Sequence, residues 1–523
     1  SVEAPRLCRD CRELDLPRAF AEADEFFDAN WDLVLGLRQR NSPSFTGLQV
    51  ATLGTRIVPD EKAACQLCRF LWDVRAGDAA DDGYHLRSFP SFWALPFIKL
   101  SSGAIRSNHR RAPSSVLAVV PAHLSDQGEI RARLLGHGSV IFRAPASVTN
   151  PRFVTARPIA PIADLGLVSD WIAFCAKNHG PGCLETKGGR GKRSKTVAGF
   201  RLLDCATRLV VEASVRQRFV ALSYVWGAPG GTADAAALLR WPKVVEDAIA
   251  VTEALGLRYL WVDRYCIDQD NAKEKHQQIS NMHIIYQQAQ LTIVAAAGSD
   301  SNYGLPGVSR LRETLPSVSV SGLDLLAVPQ DAYKSIREST WWERGWTYQE
   351  GVLSRRRVVF TEHQIYFECG AMVGYECFQL PPSAFHSPSL LNQERFIRGG
   401  LLSGFSGVES RGASSFRQTT SAHKDVRDVA ASHIRNYSHR KLSYNTDVFN
   451  AIQGILTSLQ IHTVLGIILP SSPAGLFPGS STPPAETRRD LCAGLVSWWH
   501  ESPHAIRIPE FPSWSWVGWR GNV

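Results

Sequence analysis

Methionine is scarce, with 2 in 523 residues against 15 tryptophans. That balance argues against an adaptable Met-lined groove and for large, rigid aromatic contacts. Long apolar runs are missing as well. The best stretch, "VLGIILP" from Val464, falls far short of the roughly 20 residues a membrane-spanning helix needs. The opening "SVEAPRLCRD" lacks the apolar centre of a secretory signal, and the missing initiator Met points to Ser1 as a processed or expression-derived end. A dominant charge of one sign is also absent. The 57 Lys and Arg against 49 Asp and Glu leave a net +8, which tolerates an anionic ligand without indicating nucleic acid. With 44% hydrophobic and 20% charged residues, wholesale disorder is excluded. Eleven cysteines, an odd number in a large chain with no export signal, predict reduced thiols inside a cell and a cytoplasmic location.

The length is enough for two to four domains at roughly 150 residues each. In the first two hundred residues, short apolar runs such as "SVLAVVPAHL" and "GSVIFRA" predict several strands. The pattern sharpens after Arg201. "RFVALSYVW" reads as a buried strand stopped by Gly227, a helix follows from Pro242 to Gly256, and "RYLWVD" is a second strand ending on Asp263. A helical face runs over Ala272 to Ala289, "LTIVAAAG" is a third strand, and "WWERGWTYQEGVL" is a helix before the strand-like runs "RRRVVF" and "QIYFEC". Alternating strands and helices predict a parallel sheet covered on its faces. Residues 201–370 thus form an α/β unit between an N-terminal region, 1–200, and a C-terminal region, 371–523. Ser- and Gly-rich residues 387–422 and "PSSPAGLFPGSSTPPAE" predict loops, and the closing "FPSWSWVGWRG" predicts an aromatic final strand.

Parallel sheets bind ligands beyond the carboxyl ends of their strands, so Ser223, Trp226, Gly227 and Asp263 lie where a site is expected. Trp226 reads either as core or as a ligand platform, and Asp263 either as the cap of a turn or as a group that orients a ligand. Glu350 is either a helix-surface charge paired with Arg344 or Arg355, or a carboxylate that the fold exists to present. Arg344 is an ion-pair partner or an anion contact. His276 and His283 lie seven apart on one helix face without a third ligand and read as structural. "CRDC" at Cys8 and Cys11 and "CQLC" at Cys65 and Cys68 supply either four thiolates for a tetrahedral structural zinc or ordinary buried thiols. The basic run "KGGRGKRSK", residues 187–195, reads as a solvated loop. It lacks the interleaved aromatics of a nucleic-acid reader.

The blocks "FVALSYVWG", "LGLRYLWVDRYCIDQD", "EKHQQISNMHIIYQQAQLTIVAAAG", "YGLPGV", "WWERGWTYQEGVLSRRRVVF" and "FPSWSWVGW" together resemble the fungal heterokaryon incompatibility (HET) domain family. That resemblance implies a part in allorecognition and programmed cell death. It also implies a core distantly similar to the TIR domain: a flavodoxin-like doubly wound parallel sheet, here with β-rich and helical N- and C-terminal additions. TIR-like folds either assemble as signalling adaptors or cleave NAD, and "GWTYQE" is similar to the segment that carries the essential glutamate of the enzymatic ones. The resemblance therefore points to Glu350 as the catalytic carboxylate, with NAD as substrate.

Breaking the nicotinamide–ribose bond passes through an oxocarbenium-like state, and the leaving group is already cationic. One carboxylate that stabilises charge at the anomeric carbon suffices, with Asp263 orienting ribose, Arg344 near the pyrophosphate, and Trp346 and Tyr348 offering aromatic faces. The rival reading is a non-enzymatic module that acts by self-association or by binding another incompatibility protein, in which Glu350 is dispensable.

Overall fold

The computed structural model describes residues 6–30, 45–55, 57, 65–77, 83–95, 115–136, 138–143, 155–179, 183, 196–227, 241–379, 400–402, 426–461, 463–468, 492, 494, 495, 498–501 and 505–523. The basic run at 187–195, residues 387–399 and 403–422, and the Pro-rich stretch 470–486 lie outside them.

Eight strands form the central sheet: β1 (Arg201–Asp204), β2 (Leu209–Glu212), β3 (Phe219–Ser223), β4 (Tyr259–Trp261), β5 (Leu291–Ala295), β6 (Arg356–Phe360), β7 (Ile365–Cys369) and β8 (Val373–Tyr375). Their spatial order is β8-β7-β6-β5-β3-β4-β1-β2. The inner four, β4-β3-β5-β6, are parallel. Every residue of β3, β5 and β6 is buried, because helices or neighbouring segments cover both faces; β3 and β5 accordingly read as largely apolar runs, whereas β6 opens on two buried arginines, Arg356 and Arg357. Both edges are antiparallel. Only Thr361 to Gln364 separate β6 from β7, too few for a crossover, so the chain closes a hairpin in which Thr361 N–H and Oγ1–H both reach the Gln364 carbonyl.

Helix α1 (Lys243–Ala254) makes the β3-to-β4 crossover. The predicted 272–289 helix is two, α2 (Ala272–Ser280) and α3 (Met282–Gln288), with the break at Asn281. The predicted 341–353 helix also divides. A turn over Thr340–Glu343 ends at Arg344, which takes an extended conformation, and α4 (Gly345–Leu353) begins afresh.

A second, antiparallel sheet runs in the order Leu48–Gly54, Tyr84–Pro90, Ser115–Pro121, Val140–Arg143, Leu323–Val328, Ser317–Val320. Its last two strands come from the β5-to-β6 excursion, which ties the N-terminal region to the middle of the chain. Alternation along Ser115–Pro121 sends Val116, Ala118 and Val120 into the main core, while Leu117 and Val119 enter a smaller second core that contains Cys11, Cys65 and Cys68.

In the C-terminal region, α5 (Val426–Ser438) and α6 (Asn450–Ser458) pack on α4. The final aromatic segment is mostly a turn: Trp516–Gly518 is a single 3-10 turn, and only Trp519–Arg520 pairs as a strand, with Ile506–Arg507. Among the described residues no helix is long and apolar enough to cross a membrane.

Candidate functional site

α4 is buried nearly all round, since every residue from Gly345 to Leu353 except Trp346 is shut away from water. One side meets β3 and the other meets α6, so a carboxylate carried by this helix has to be inside the protein. Glu350 is that carboxylate, at 5% exposure. Its Oε2 accepts a hydrogen bond from the hydroxyl of Ser223, the last residue of β3. The hydroxyl has little choice of direction, because its own oxygen is already taken by the indole N–H of Trp341 at 2.8 Å, which leaves the proton for Glu350. Trp341, Ser223 and Glu350 thus form a directed chain of donors ending on the acid, and Trp341 and Ser223 are fully buried.

Loss of water pushes the Glu350 carboxyl up to about 8, and the negative charge of Asp263 adds to this, while the Ser223 bond, the Arg344 charge and the Tyr286 hydroxyl pull back. Asp263 follows β4 at its carboxyl end and is half-buried. It accepts from the Trp226 indole N–H at 3.1 and 3.2 Å and from the Arg264 amide at 2.7 Å. Burial pushes it up to about 6, against the pull of those donors and of Arg344. A carboxyl of α4 held against the end of β3 and a carboxyl just past β4 therefore both hold their protons more tightly than usual. Arrangements of this kind concentrate at functional sites.

The ring of Tyr224, next to Ser223, is buried, and its hydroxyl has no hydrogen-bond partner among the described residues. Burial and the charge of Asp263 hold its phenol well above the ordinary range. A buried hydroxyl beside two raised carboxyls is a donor waiting for an acceptor. Tyr286, fully buried, donates to the Leu222 carbonyl at 3.3 Å and closes the opposite flank. Gly227 has φ +90, the left-handed region where any side chain is strained, and a Cβ there would lie 3.0 Å from Asp300 Cβ. It lets the chain leave β3 sharply, beside the site.

Ser223, Trp226, Asp263 and Glu350 are thus brought together at the ends of β3 and β4, with Gly227 turning the chain next to them. Arg344 stands immediately before α4, half-buried, and acts on both carboxyls through its charge. The two aromatics of α4 have other engagements. Trp346 donates to Asp447 at 3.2 Å, while Tyr348 is fully buried with its hydroxyl 2.9 Å from His433 Nδ1. Sequence reasoning missed Trp341, Tyr224 and Tyr286. Their signal lay in being polar-tipped aromatics, Tyr224 just past β3, Tyr286 on α3 and Trp341 on the Thr340–Glu343 turn, where a buried N–H or O–H has to find a partner. The surface ion pair considered for Glu350 does not form, for Arg355 turns instead to the Gln288 carbonyl at 2.9 Å.

Against this geometry, residues 219–350 match the family described as heterokaryon incompatibility protein (HET). The chain carries a heterokaryon incompatibility domain. The matched segment covers about a quarter of the chain and runs from the first residue of β3 to Glu350 itself, so the whole Trp341–Ser223–Glu350 set lies within the HET domain. No curated protein and no solved structure matches the chain.

Away from the HET domain, the four cysteines of the two C-x-x-C pairs converge into a group able to hold a metal ion, with all four sulfurs within 4.8 Å of one another. Cys8 and Cys11 lie 3.8 and 3.4 Å from Cys68. Four thiolates on a tetrahedral zinc at ~2.3 Å stand roughly 3.8 Å apart, so the spacing suits that ion. Cys8 and Cys65 each precede a helix, and the Cys68 amide donates to Cys65 Sγ at 3.5 Å. Burial pushes the Cys11 and Cys68 thiols up, whereas amide donors from Cys8 and Cys68 bring the Cys65 thiol down to about 7 against its own burial.

Proposed function

We propose that this HET-domain protein hydrolyses NAD or a related nucleotide at the nicotinamide–ribose bond, with Glu350 as the catalytic carboxylate, in a fungal cell-death response within the cytoplasm. The observation that carries this reading is the buried Glu350 carboxyl, oriented by Ser223 at the carboxyl end of a parallel strand and pushed up to about 8. The inner strands, taken by chain order, lie second-first-third-fourth, the order of flavodoxin-like sheets, and this supports the TIR-like relationship.

In the reaction, water adds at the anomeric carbon as the C–N bond breaks. The electron pair of that bond passes to the pyridinium ring, nicotinamide leaves neutral, and water's second proton is released with ADP-ribose. Ionised Glu350 offsets the positive charge that develops on the ribose, in a site where water screens little. Asp263, steadied by Trp226, is placed to hold ribose hydroxyls. The Tyr224 hydroxyl supplies a donor to the ligand, and Arg344 faces its phosphates.

Nicotinamide release from NAD is measured for wild type and Glu350→Gln. Glutamine keeps the acceptor for Ser223 and removes the charge, so a fall of at least ~10²-fold is expected. Equal turnover in both rejects the assignment, and no turnover in either favours a non-enzymatic module acting by self-association or partner binding. We further propose that the Cys8, Cys11, Cys65 and Cys68 group holds a structural zinc.

A further inference from the structure

Outside the HET domain and far from the C-x-x-C pairs in sequence, Cys175, His179, Cys183 and Cys369 meet in the main core. All four are buried, and their ligand atoms lie within 4.8 Å of one another. We propose that these three cysteines and one histidine form a second zinc site, which fastens the N-terminal region to the edge of the central sheet.

The ligands come from three places. Cys175 sits in the last turn of the Leu165–Asn178 helix and His179 directly after it, Cys183 follows four residues on, and Cys369 ends β7. The Cys369 sulfur stands 3.4 Å from His179 Nδ1. A thiolate at ~2.3 Å and an imidazole at ~2.05 Å from one tetrahedral zinc are roughly 3.6 Å apart, so the separation suits a shared ion.

Charge supplies the independent observation. Arg356 is buried and lies directly opposite Cys369 across the β6/β7 pair. Its Nε–H donates to Cys175 Sγ at 3.1 Å, and its other donors reach the carbonyls of Cys183 at 2.8 Å and Gln290 at 3.2 Å. Among the described residues no carboxylate pairs with it, whereas the next residue, Arg357, is matched by buried Glu368 at 2.9 Å. An arginine in the core without a counter-charge is costly. Zinc with three thiolates and one neutral imidazole carries a net charge of −1, which Arg356 neutralises while it donates to a ligand sulfur, as outer-shell groups at metal sites do. Four neutral buried thiols and imidazoles would leave the guanidinium alone.

The test uses the full chain produced with zinc, with metal per chain measured by mass spectrometry. Cys65→Ser/Cys68→Ser, which disables the other group, is expected to keep about one equivalent of zinc, and Cys175→Ser/Cys369→Ser to lose about one relative to wild type. A folded Cys65→Ser/Cys68→Ser chain without zinc overturns the proposal. Should that variant not fold, cobalt is loaded into the wild type and into His179→Cys. A change in the ligand-field bands from those of mixed sulfur and nitrogen ligation towards those of all-sulfur ligation supports the site, and an unchanged spectrum overturns it.

Discussion

At the scale of single residues, the site is defined by a carboxyl that the protein makes uncomfortable. The folded-state value of Glu350 lies above the ordinary 4.5, at about 8. Between those two values the folded chain holds a proton that the unfolded chain has released, so stability falls as pH rises through that window. Each unit is worth about 1.4 kcal/mol, which puts the burden of the ionised form at a few kcal/mol, shared in part with Asp263. Glu350→Gln is therefore expected to be more stable than wild type at pH 8, and its melting temperature should fall less between pH 5 and pH 8. A variant less stable than wild type at pH 8 would mean that the anion serves the fold. The same shift sets the activity profile. kcat/KM is expected to rise as pH climbs through about 8, and the limb of kcat lies lower, because a bound cationic nicotinamide favours the carboxylate. Ser223→Ala removes a donor that favours the charged form, so the limb moves to higher pH. It also strands the buried Trp341 indole, at a cost of ~1–3 kcal/mol in a urea titration.

At the scale of elements, β3, β4 and β5 were legible because buried parallel strands are largely apolar runs, while β6 showed only in its apolar second half, Val358 to Phe360, since its two arginines are buried by partners outside the run. Asp263, Ser223 and Trp226 were legible as candidates because they lie in or beside strand-end blocks, whereas Glu350 lies inside a helix and was singled out by the family resemblance rather than by its local pattern. What the sequence concealed was the two breaks: both 272–289 and 341–353 keep helical periodicity across the interruptions at Asn281 and Arg344. The second break matters for the site, because it places Trp341 in one helical segment and Glu350 in another while both reach Ser223. Also hidden was what lies behind α4. There Gly454 of α6 gives its amide to Gln349 Oε1 at 2.9 Å, and an added Cβ would meet Gln349 and lie 2.7 Å from His283 Cβ. Gly454→Ala is thus expected to force α6 away from α4 and cost ~1–3 kcal/mol, read as a lower urea midpoint with an unchanged slope. A neutral effect would show that the helices have room to slide.

At the scale of the molecule, one main core runs from Ala23 to Val517 through both flanking regions, while the second core surrounds the N-terminal cysteines. The flanks therefore have unequal attachments. The C-terminal region is wedged onto the site helix: Arg440 lies 4.3 Å from the Trp342 ring and 4.5 Å from the Tyr348 ring, Asp447 takes Trp346, and His433 takes Tyr348. Removal of residues 426–523 would bare that face of α4, so loss of soluble protein is expected rather than release of an active core. The second core is the smaller of the two, and a metal there would join Cys8 and Cys11 to the Gln66–Asp73 helix across a long sequence gap. Folding that depends on such an ion fails when the ion is removed. Chelation, or Cys65→Ser/Cys68→Ser, is therefore expected to make residues 6–77 sensitive to limited proteolysis while residues 201–379 stay protected and nicotinamide release persists. If the cleavage pattern is the same with and without chelator, the four thiols are ordinary core residues. If protection of 201–379 is lost together with that of 6–77, the two cores are a single cooperative unit, and the shared sheet strands at 317–328 bind them more tightly than the metal does.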